Sequence, residues 1–316
     1  HVAMRTYESY AATIKTRIIP YIGGIILQEL RPRDVDRWLS QLAARGLAHR
    51  TITTSKTILS HALKYAVYPA ELIPVNPCAG FPRNAPRSVI PRVVISPAIL
   101  ADLFRKYPEG HKYHIIFKLA YHTGARIGEI LGITWDDIDL DAGRVSIRQQ
   151  VLYSKGGGAH YFAPPKTAAG LRTLYIDDVL ITALRKWRAI CSENAVHMGG
   201  AYQCIYEDAA RQLHTEPRIE TPPDDWTPRP LICVDRYGLP IRYPAIQYAL
   251  QLFNLNAHSF RHTHATRLIE AGAKPVDVAA RLGHADATIT QNLYTHDTED
   301  MQKETAAIFA RIVGGD

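Results

Sequence analysis

The first 80 residues show a helical pattern of apolar and polar positions. Apolar residues recur at helical spacing over residues 34–42 and again over residues 51–66. Pro32 comes just before the first stretch and Gly46 separates the two, as expected of a helix start and a helix stop. The pattern predicts an all-α bundle over residues 1–80.

Residues 81–95 show no helical periodicity and combine prolines with arginines. The arginines are Arg83, Arg87 and Arg92. Proline keeps such a segment extended, and the arginines would let it lie along a polyanion. We predict a basic linker, which is either a spacer or a segment that wraps a polyanionic ligand.

The pattern becomes mixed in a second predicted domain, residues 96–316. Helical signals over 97–107 and 111–122 come first. Alternation over 144–153, a turn of three glycines and a return over 171–176 follow. This order predicts a small antiparallel sheet after two helices.

The rest of the second domain is again mostly helical in pattern. Helical signals resume over 179–190 and from Pro244 onward, with a last helix over 301–312. Residues 192–229 are rich in polar residues and proline, which indicates a peripheral insertion. The expected fold class is mainly α with a small antiparallel β-sheet, an α+β protein.

The composition is that of a globular protein with sizeable cores. Of 316 residues 47% are hydrophobic, and the 20 glycines and 20 prolines follow no fixed period. No apolar run is long enough to span a bilayer, and the first residues lack the layout of a secretory signal. We expect a soluble intracellular protein with no membrane partner.

The cysteines are expected to be reduced thiols. The chain has four of them, none in a CxxC pair: Cys78, Cys191, Cys204 and Cys233. A zinc alternative would use suitable ligand types with spacings that match no standard site: Cys191, His197, Cys204 and His214. The prediction is that the protein binds no metal.

Positive charge is concentrated in the first third of the chain. The formal net charge is +7. Residues 1–95 carry 13 lysines and arginines against 5 acidic residues, whereas residues 96–316 carry 24 against 25. Such asymmetry is typical of a module that lies on phosphates, although a well-solvated surface would have the same charge.

Four short segments of the second domain carry groups suited to a phosphate. In the first, Arg126 comes at the start of a short amphipathic helix, where its guanidinium could hold two phosphate oxygens. In the second, His258 and Arg261 are three residues apart and project from one side of a helix. Singly, such arginines are usually surface ion-pair partners.

The other two segments follow near the end of the chain. Gly283 is a natural stop for a helix that begins at Pro275, and His284 follows the turn. A short helix is predicted to begin at Asp286, and Tyr294 would present its phenol from it. Together the four segments supply what covalent phosphoryl transfer needs, because a tyrosine can attack while positive donors stabilise the developing charge.

In their order these segments resemble the catalytic boxes of the tyrosine recombinases, the phage integrase family. The matching residues are Thr123-Gly124-Ala125-Arg126, His258-Ser259-Phe260-Arg261, Leu282-Gly283-His284 and Tyr294-Thr295-His296. The resemblance extends over residues 7–309. Within the family, the chain resembles the integrases of phages and conjugative transposons.

The resemblance implies a site-specific recombinase that cuts and rejoins DNA without metal, ATP or another cofactor. The intermediates would be a 3′-phosphotyrosyl link and a Holliday junction. Tyr294 would be the nucleophile, and Arg126 and Arg261 would hold the nonbridging oxygens. His258 would assist proton transfer at the nucleophile, and His284 would donate a hydrogen bond to the phosphate.

A lysine in a turn of the sheet is the general acid in this family. Lys166, just before the strand that starts near Leu171, is at the matching position. Lys155, beside the three glycines, is the competing candidate.

Three nearby residues receive supporting roles. Glu129 lies one turn after Arg126, which suits pairing with it better than acting as a general base. His262 and His264 are expected to point away from the boxes as packing or capping residues.

The resemblance also assigns the domains. Residues 1–80 would be a core-binding domain that forms a clamp around duplex DNA with the catalytic domain. Candidate DNA contacts are the three linker arginines and Thr51, Thr53 and Lys56, which would fit a solvated face equally well. The start at His1 indicates a trimmed chain, so an amino-terminal domain for arm sites would be missing.

The implied partners are double-stranded DNA and further copies of the chain. A tetramer would form on DNA through exchange of the C-terminal helix over 301–312, although that helix could also pack on its own domain. An excisionase or a host DNA-bending protein would be an accessory partner. The expected location is the bacterial cytoplasm, at the nucleoid.

Three rival functions remain. A metal-dependent nuclease would use a histidine set that lacks an obvious carboxylate partner: His258, His262, His264 and His284. A DNA-binding protein without activity would be expected to have lost at least one box. A type IB topoisomerase would use the same covalent step on one duplex.

Overall fold

The chain forms two compact units, residues 1–90 and 91–316. A computed structural model describes residues 4–80, 93–153, 160–218 and 221–284, together with Ala310. The division falls inside the stretch expected to be a linker. Its three arginines, Arg83, Arg87 and Arg92, lie outside the described residues.

In the first unit every regular element of residues 4–80 is helical. The elements are α1 (Met4–Thr13), a π-helical stretch (Ile14–Ile18), α2 (Ile19–Ile22), a 3-10 turn (Leu27–Glu29), α3 (Pro32–Ala44) and α4 (His49–Val67). Pro32 occupies the first position of α3, where its missing N–H costs no hydrogen bond. The prediction of a helical bundle is confirmed.

The two long helices bury the apolar stripes that predicted them. In α3, Val35, Trp38 and Leu42 are buried, and the Trp38 indole donates to the Arg17 carbonyl at 2.6 Å. In α4, Ile58 and Leu63 face the same core. Each large apolar side chain that leaves water stabilises the unit by about 2 kcal/mol.

In the described part of the second unit, seven helices contain most of the regular structure. They are α5 (Pro97–Lys106), α6 (Lys112–Thr123), α7 (Ile127–Leu131), α8 (Asp178–Met198), α9 (Tyr243–Gln251), α10 (Ala257–Glu270) and α11 (Pro275–Leu282). The core surrounds α6, which contacts α7, α8 and α10. Phe117 of α6 stacks on Phe260 of α10, with 5.5 Å between ring centroids.

The strands form two antiparallel sheets instead of the single sheet that was expected. They are β1 (Ile138–Asp139), β2 (Arg144–Ile147), β3 (Gln150–Tyr153), β4 (His160–Ala163), β5 (Arg172–Tyr175), β6 (Gln203–Glu207), β7 (Gln212–Pro217) and β8 (Thr227–Pro228). The sheet orders are β1-β2-β5 and β3-β4-β7-β6-β8. The alternating stretch 144–153 is broken at residues 148–149, so its two halves join different sheets.

The prediction of a peripheral insertion over residues 192–229 is wrong. Its first residues complete α8, which continues to Met198, and most of the rest forms β6, β7 and β8. Ile205 and Leu213 are buried in the core of the second unit. These strands pair with each other and with β4, so the segment extends a sheet that begins about 50 residues earlier in the chain.

All four cysteines are free thiols, as predicted. Burial raises the pKa of Cys78 to about 11 and that of Cys191 to about 12, and it also raises the pKa of Cys233. One residue of the zinc alternative, His214, has other partners: it stacks on Trp226 and bonds Asp208 at 2.8 Å.

Within the described residues, no helix combines the length and the apolar character that a bilayer span requires.

Candidate active site

Arg126 stands at the start of α7, where the sequence predicted it. Glu129, one turn later, accepts from the Arg126 backbone N–H at 3.0 Å and from its Nη1 at 2.8 Å. The other terminal nitrogen of Arg126 donates to the Gly283 carbonyl at 3.3 Å. Pairing of Glu129 with Arg126 is confirmed, and it fixes the direction of the guanidinium.

The Glu129 carboxylate is buried and shared between two arginines. Its Oε2 also accepts from Nη2 of Arg172 on β5, at 3.0 Å. Burial raises the pKa of Glu129, but Arg172 and Arg126 lower it further, so the net shift is downward. Glu129 is therefore ionised at neutral pH and balances one of the two positive charges.

Arg261 reaches the same place from α10. Its side chain is buried, and Nη1 donates to the Gly124 carbonyl at 3.1 Å. Among the described residues Nη2 finds no hydrogen-bond acceptor. Burial and the nearby Arg126 lower the pKa of Arg261 to about 9, which leaves it charged at neutral pH. A buried cationic donor without an acceptor favours an anionic ligand.

Two glycines in the left-handed region let the segments approach. Gly124 ends α6 with φ +62°, and a Cβ there would lie 2.7 Å from both His264 Cδ2 and Leu282 Cδ2. Gly283 ends α11 with φ +70°, as predicted, and a Cβ there would lie 2.8 Å from Nη1 of Arg172. Another residue at either position would be strained and would push the guanidinium-bearing elements apart.

His258 and His284 lie in the field of these arginines. Burial, then Arg261, then Arg126 lower the pKa of His258. Burial and the same two arginines, together with Arg172, lower the pKa of His284 to about 4. Both imidazoles are thus neutral at neutral pH, and each can accept one hydrogen bond and donate another.

Lys166 lies in the turn between β4 and β5, with its side chain exposed. The turn ends in a short 3-10 helix, Ala168–Gly170, whose Ala169 carbonyl would lie 2.8 Å from a Cβ on Gly283. The backbone of this turn is therefore in contact with the end of α11.

Tyr294, Lys155, the helix expected to begin at Asp286 and almost all of residues 301–312 lie outside the described residues.

The candidate DNA contacts Thr51, Thr53 and Lys56 are all on α4. Thr53 is exposed and bonds His49 at 3.1 Å, whereas Thr51 and Lys56 are half-buried.

His264 has the packing role that was predicted. Its Nδ1 donates to the Tyr121 carbonyl at 2.9 Å, and its Nε2 accepts from Nε of Arg281 at 3.1 Å. Both ring nitrogens are therefore occupied. Over the described ranges, no three His, Cys, Asp or Glu side chains lie close enough together to bind one metal ion, so the histidine set of the nuclease alternative is not assembled.

Two arginines of the site were not singled out from the sequence. Arg172 and Arg281 donate mainly to backbone carbonyls. Those of Arg281, Tyr175 and His122 lie 106 to 159 residues from the donor, whereas that of Gly170 lies two residues from Arg172. The one sequence signal that could have indicated their role was the presence of a basic residue on each of two elements expected to be buried, β5 and α11.

The second unit thus defines a class of protein: one that gathers the guanidinium groups of Arg126 and Arg261 and two neutral histidines, His258 and His284, in one charged cluster. Comparisons with known proteins identify the class further. Residues 98–211 and 243–301 match the Phage integrase family, and residues 1–43 match its N-terminal SAM-like domain. The chain belongs to the phage integrase family, and it is a tyrosine recombinase that cuts and rejoins DNA.

Named relatives include enzymes of mobile elements. A tyrosine recombinase XerC-like protein of Caldanaerobacter subterraneus subsp. tengcongensis is 27% identical over 297 residues, which cover 86% of this chain and 69% of the relative. The ICEBs1 integrase of Bacillus subtilis is 24% identical over 310 residues, which cover 95% of this chain and 76% of the relative.

Solved structures share the fold. The Tn1549 transposon integrase in complex with a circular intermediate DNA superposes with a TM-score of 0.76 at 21% identity, covering 98% of this chain and 95% of that chain. A lambda integrase tetramer bound to a Holliday junction gives a TM-score of 0.60 at 17% identity, covering 93% and 72%.

Proposed function

We propose that this recombinase is the integrase or transposase of a mobile element and that Arg126, Arg261, His258, His284, Lys166 and Tyr294 carry its chemistry. The observation that carries the proposal is the buried Nη2 of Arg261, a charged donor without an acceptor among the described residues. It belongs to the same charged cluster as Arg126, as the lowering of the pKa of Arg261 by Arg126 indicates. A scissile phosphate supplies the negative oxygens that such a pair needs.

The proposed cleavage step breaks one bond and forms one bond. The Tyr294 hydroxyl oxygen attacks phosphorus, and its proton passes to neutral His258. The bond from phosphorus to the 5′ oxygen breaks, and Lys166 gives a proton to that oxygen. The products are a 3′-phosphotyrosyl link and a free 5′-hydroxyl, so the link conserves the energy of the phosphodiester and no nucleotide is consumed.

The other groups stabilise the charge that develops during this step. Arg126 and Arg261 donate to the nonbridging oxygens, and neutral His284 adds a hydrogen bond. Attack by the 5′-hydroxyl of a partner strand then produces a Holliday junction, which a second round resolves. The groups act as one unit, so separate energies for each have no meaning.

The proposed partners extend beyond the site. We assign duplex DNA contacts to Thr51, Thr53 and Lys56 of α4 and to the arginines of the linker, because the basic charge of the chain is concentrated there. The active assembly would be a tetramer joined through exchange of the C-terminal helix, with an excisionase or a DNA-bending protein as accessory. The protein would act in the bacterial cytoplasm, at the nucleoid.

The first experiment traps the covalent intermediate. A nicked duplex that carries a candidate attachment site, and that the protein is shown to bind, is incubated with EDTA and run on a denaturing gel. The parent is expected to form a shifted protein–DNA band. Tyr294→Phe lacks the attacking oxygen and is expected to form none, whereas Tyr248→Phe, which changes an exposed tyrosine of α9, serves as the matched control.

Either outcome is informative. An adduct with the parent and with Tyr248→Phe alone would establish Tyr294 as the nucleophile of a metal-free reaction. Cleavage of the bound duplex only after Mg²⁺ or Mn²⁺ is added, with no adduct, would contradict the proposal and favour a metal-dependent nuclease.

A further inference from the structure

The Arg172 side chain joins three separate segments around the candidate site. Its Nη2 donates to Glu129 of α7 at 3.0 Å, and its Nε donates to the Arg281 carbonyl in α11 at 2.7 Å. Its Nη1 donates to the Gly170 carbonyl at 2.9 Å. The side chain is only 8% exposed. The guanidinium is directed at protein acceptors, unlike that of Arg261.

Each of these segments carries a proposed catalytic group. Glu129 also holds Arg126. The carbonyl of Arg281 belongs to the last turn of α11, just ahead of His284. Gly170 ends the turn in which Lys166 lies. Arg172 is therefore the one described side chain whose hydrogen bonds reach all three segments.

The turn depends on this anchor more than the other two segments do. Arg126 has its own bonds to Glu129 and Gly283, and His284 follows a helix end closed by backbone hydrogen bonds. Lys166 is an exposed side chain on a turn, so the position of its ammonium group is set by the backbone that carries it. A proton donor must come within hydrogen-bond distance of the oxygen that it protonates.

We propose that Arg172 is a positioning residue for leaving-group protonation: it holds the turn of residues 164–170 against α7 and α11 so that Lys166 reaches the departing 5′ oxygen. This inference rests on the proposed function of Lys166. Lysine cannot replace Arg172, because one ammonium nitrogen cannot donate along the three directions that the planar guanidinium serves.

The test replaces the departing oxygen with sulfur. A thiol has a pKa of about 8.5, so a thiolate leaves without a proton, whereas an alkoxide requires a general acid. Adduct formation is measured with saturating protein on two otherwise identical duplexes, one with a 5′-oxygen and one with a 5′-sulfur at the scissile position. Only a defect in protonation is rescued by the sulfur.

Arg172→Lys is expected to form adduct about 100-fold more slowly than the parent on the oxygen duplex, the typical size of a general-acid contribution. On the sulfur duplex it is expected to come within about threefold of the parent. Lys166→Ala should show the same pattern. Arg126→Lys, which alters the phosphate clamp, should be slow on both duplexes.

A second variant perturbs the turn without touching Arg172. A Cβ on Gly170 would overlap the Cβ of Pro165, the neighbour of Lys166, so Gly170→Ala must shift the turn. It is expected to be slow on oxygen and rescued by sulfur. If Arg172→Lys fails to bind DNA, this variant still tests whether the position of the turn controls protonation of the leaving oxygen.

The outcomes separate the inference from the function on which it rests. Suppose first that Lys166→Ala is rescued by sulfur. The role of Arg172 would then be overturned if Arg172→Lys and Gly170→Ala both cleave the two duplexes slowly, or if neither variant slows cleavage of the oxygen duplex. Failure of Lys166→Ala to be rescued would instead overturn the role of Lys166 and this inference with it.

Discussion

Glu129 is the residue on which the order of the candidate site depends. A buried carboxylate is costly unless it is paired, and here two arginines and one backbone N–H satisfy it. Its removal would leave Arg126 and Arg172 with positive charge and no balancing group. The carboxylate therefore stabilises the fold and directs the arginine that is proposed to hold the phosphate.

Glu129→Gln is expected to lower the free energy of unfolding of the second unit by about 3 kcal/mol, because it breaks a buried ion pair from one side. Urea unfolding at pH 7 measures the change. Glu270→Gln is the control, since Glu270 pairs with Arg267 on the surface of α10 and its loss should cost less than about 1 kcal/mol. Equal effects of the two variants would contradict this account.

The sequence identified some residues of the site and missed others for a physical reason. Arg126 and Glu129 are three positions apart at a helix start, so local geometry alone pairs them. Arg172 was visible only as part of a strand, because its acceptors lie at Gly170, Arg281 and Glu129, up to 109 residues away. Contacts of this kind depend on the fold and leave no periodicity in the chain.

At the scale of elements, Arg281 links α11 to several of its neighbours. Arg281 donates to the carbonyls of Tyr175 and His122 and to the Nε2 of His264 on α10. Since His264 accepts at Nε2 and donates at Nδ1, it must be neutral. Burial, then Arg281, lower the pKa of His264 to about 4.

The sign of the pH effect follows from that shift. The folded pKa lies below the unfolded value of about 6.5, so the unfolded chain takes up the proton first as the pH falls. The stability that neutral His264 contributes is complete above pH 6.5 and is lost as the pH falls toward 4. His284, with a pKa of about 4, adds to the same decline.

Between pH 6.5 and 4.5, the second unit of His264→Gln is expected to lose about 2 kcal/mol less of its free energy of unfolding than the parent does. Each pKa unit corresponds to about 1.4 kcal/mol. Urea unfolding at a series of pH values gives the slope. His61→Gln, at an exposed position on α4, should leave the slope as in the parent. An unchanged slope in His264→Gln would show that its protonation is not coupled to folding.

Helices were easier to predict than strands. Helix α11 was predicted because Pro275 starts it and Gly283 ends it, and both signals are local. The strands from residue 203 onward pair with each other and with β4, whose His160 and Tyr161 pair with Leu213 and Gln212, more than 50 positions later in the chain. A local pattern of polar residues and prolines does not reveal such partners, so the segment resembled a loop.

The whole molecule has a separate hydrophobic core in each of its two units. The first centres on Trp38 and Leu42 and the second on Phe117 and Phe260. A unit with its own core can fold without the other. This agrees with the change from helical to mixed patterning along the sequence.

Residues 1–90, expressed alone, are therefore expected to unfold cooperatively. Trp38 is the one tryptophan in this range, and it is 1% exposed, so its fluorescence reports on this core. Emission should shift to that of a water-exposed indole in a single transition as urea rises. Water-exposed emission already present without urea would show that the unit needs the rest of the chain.

The buried cysteines make it possible to attach a fluorescent dye at one chosen position. Maleimide dyes react with thiolates, and burial holds Cys78, Cys191 and Cys233 in the thiol form at neutral pH. Once Cys204 is changed to serine, a cysteine introduced at an exposed position such as His61 would be the preferred site of labelling. Energy transfer from that dye to labelled DNA could then follow each encounter in real time, with little signal from the native cysteines.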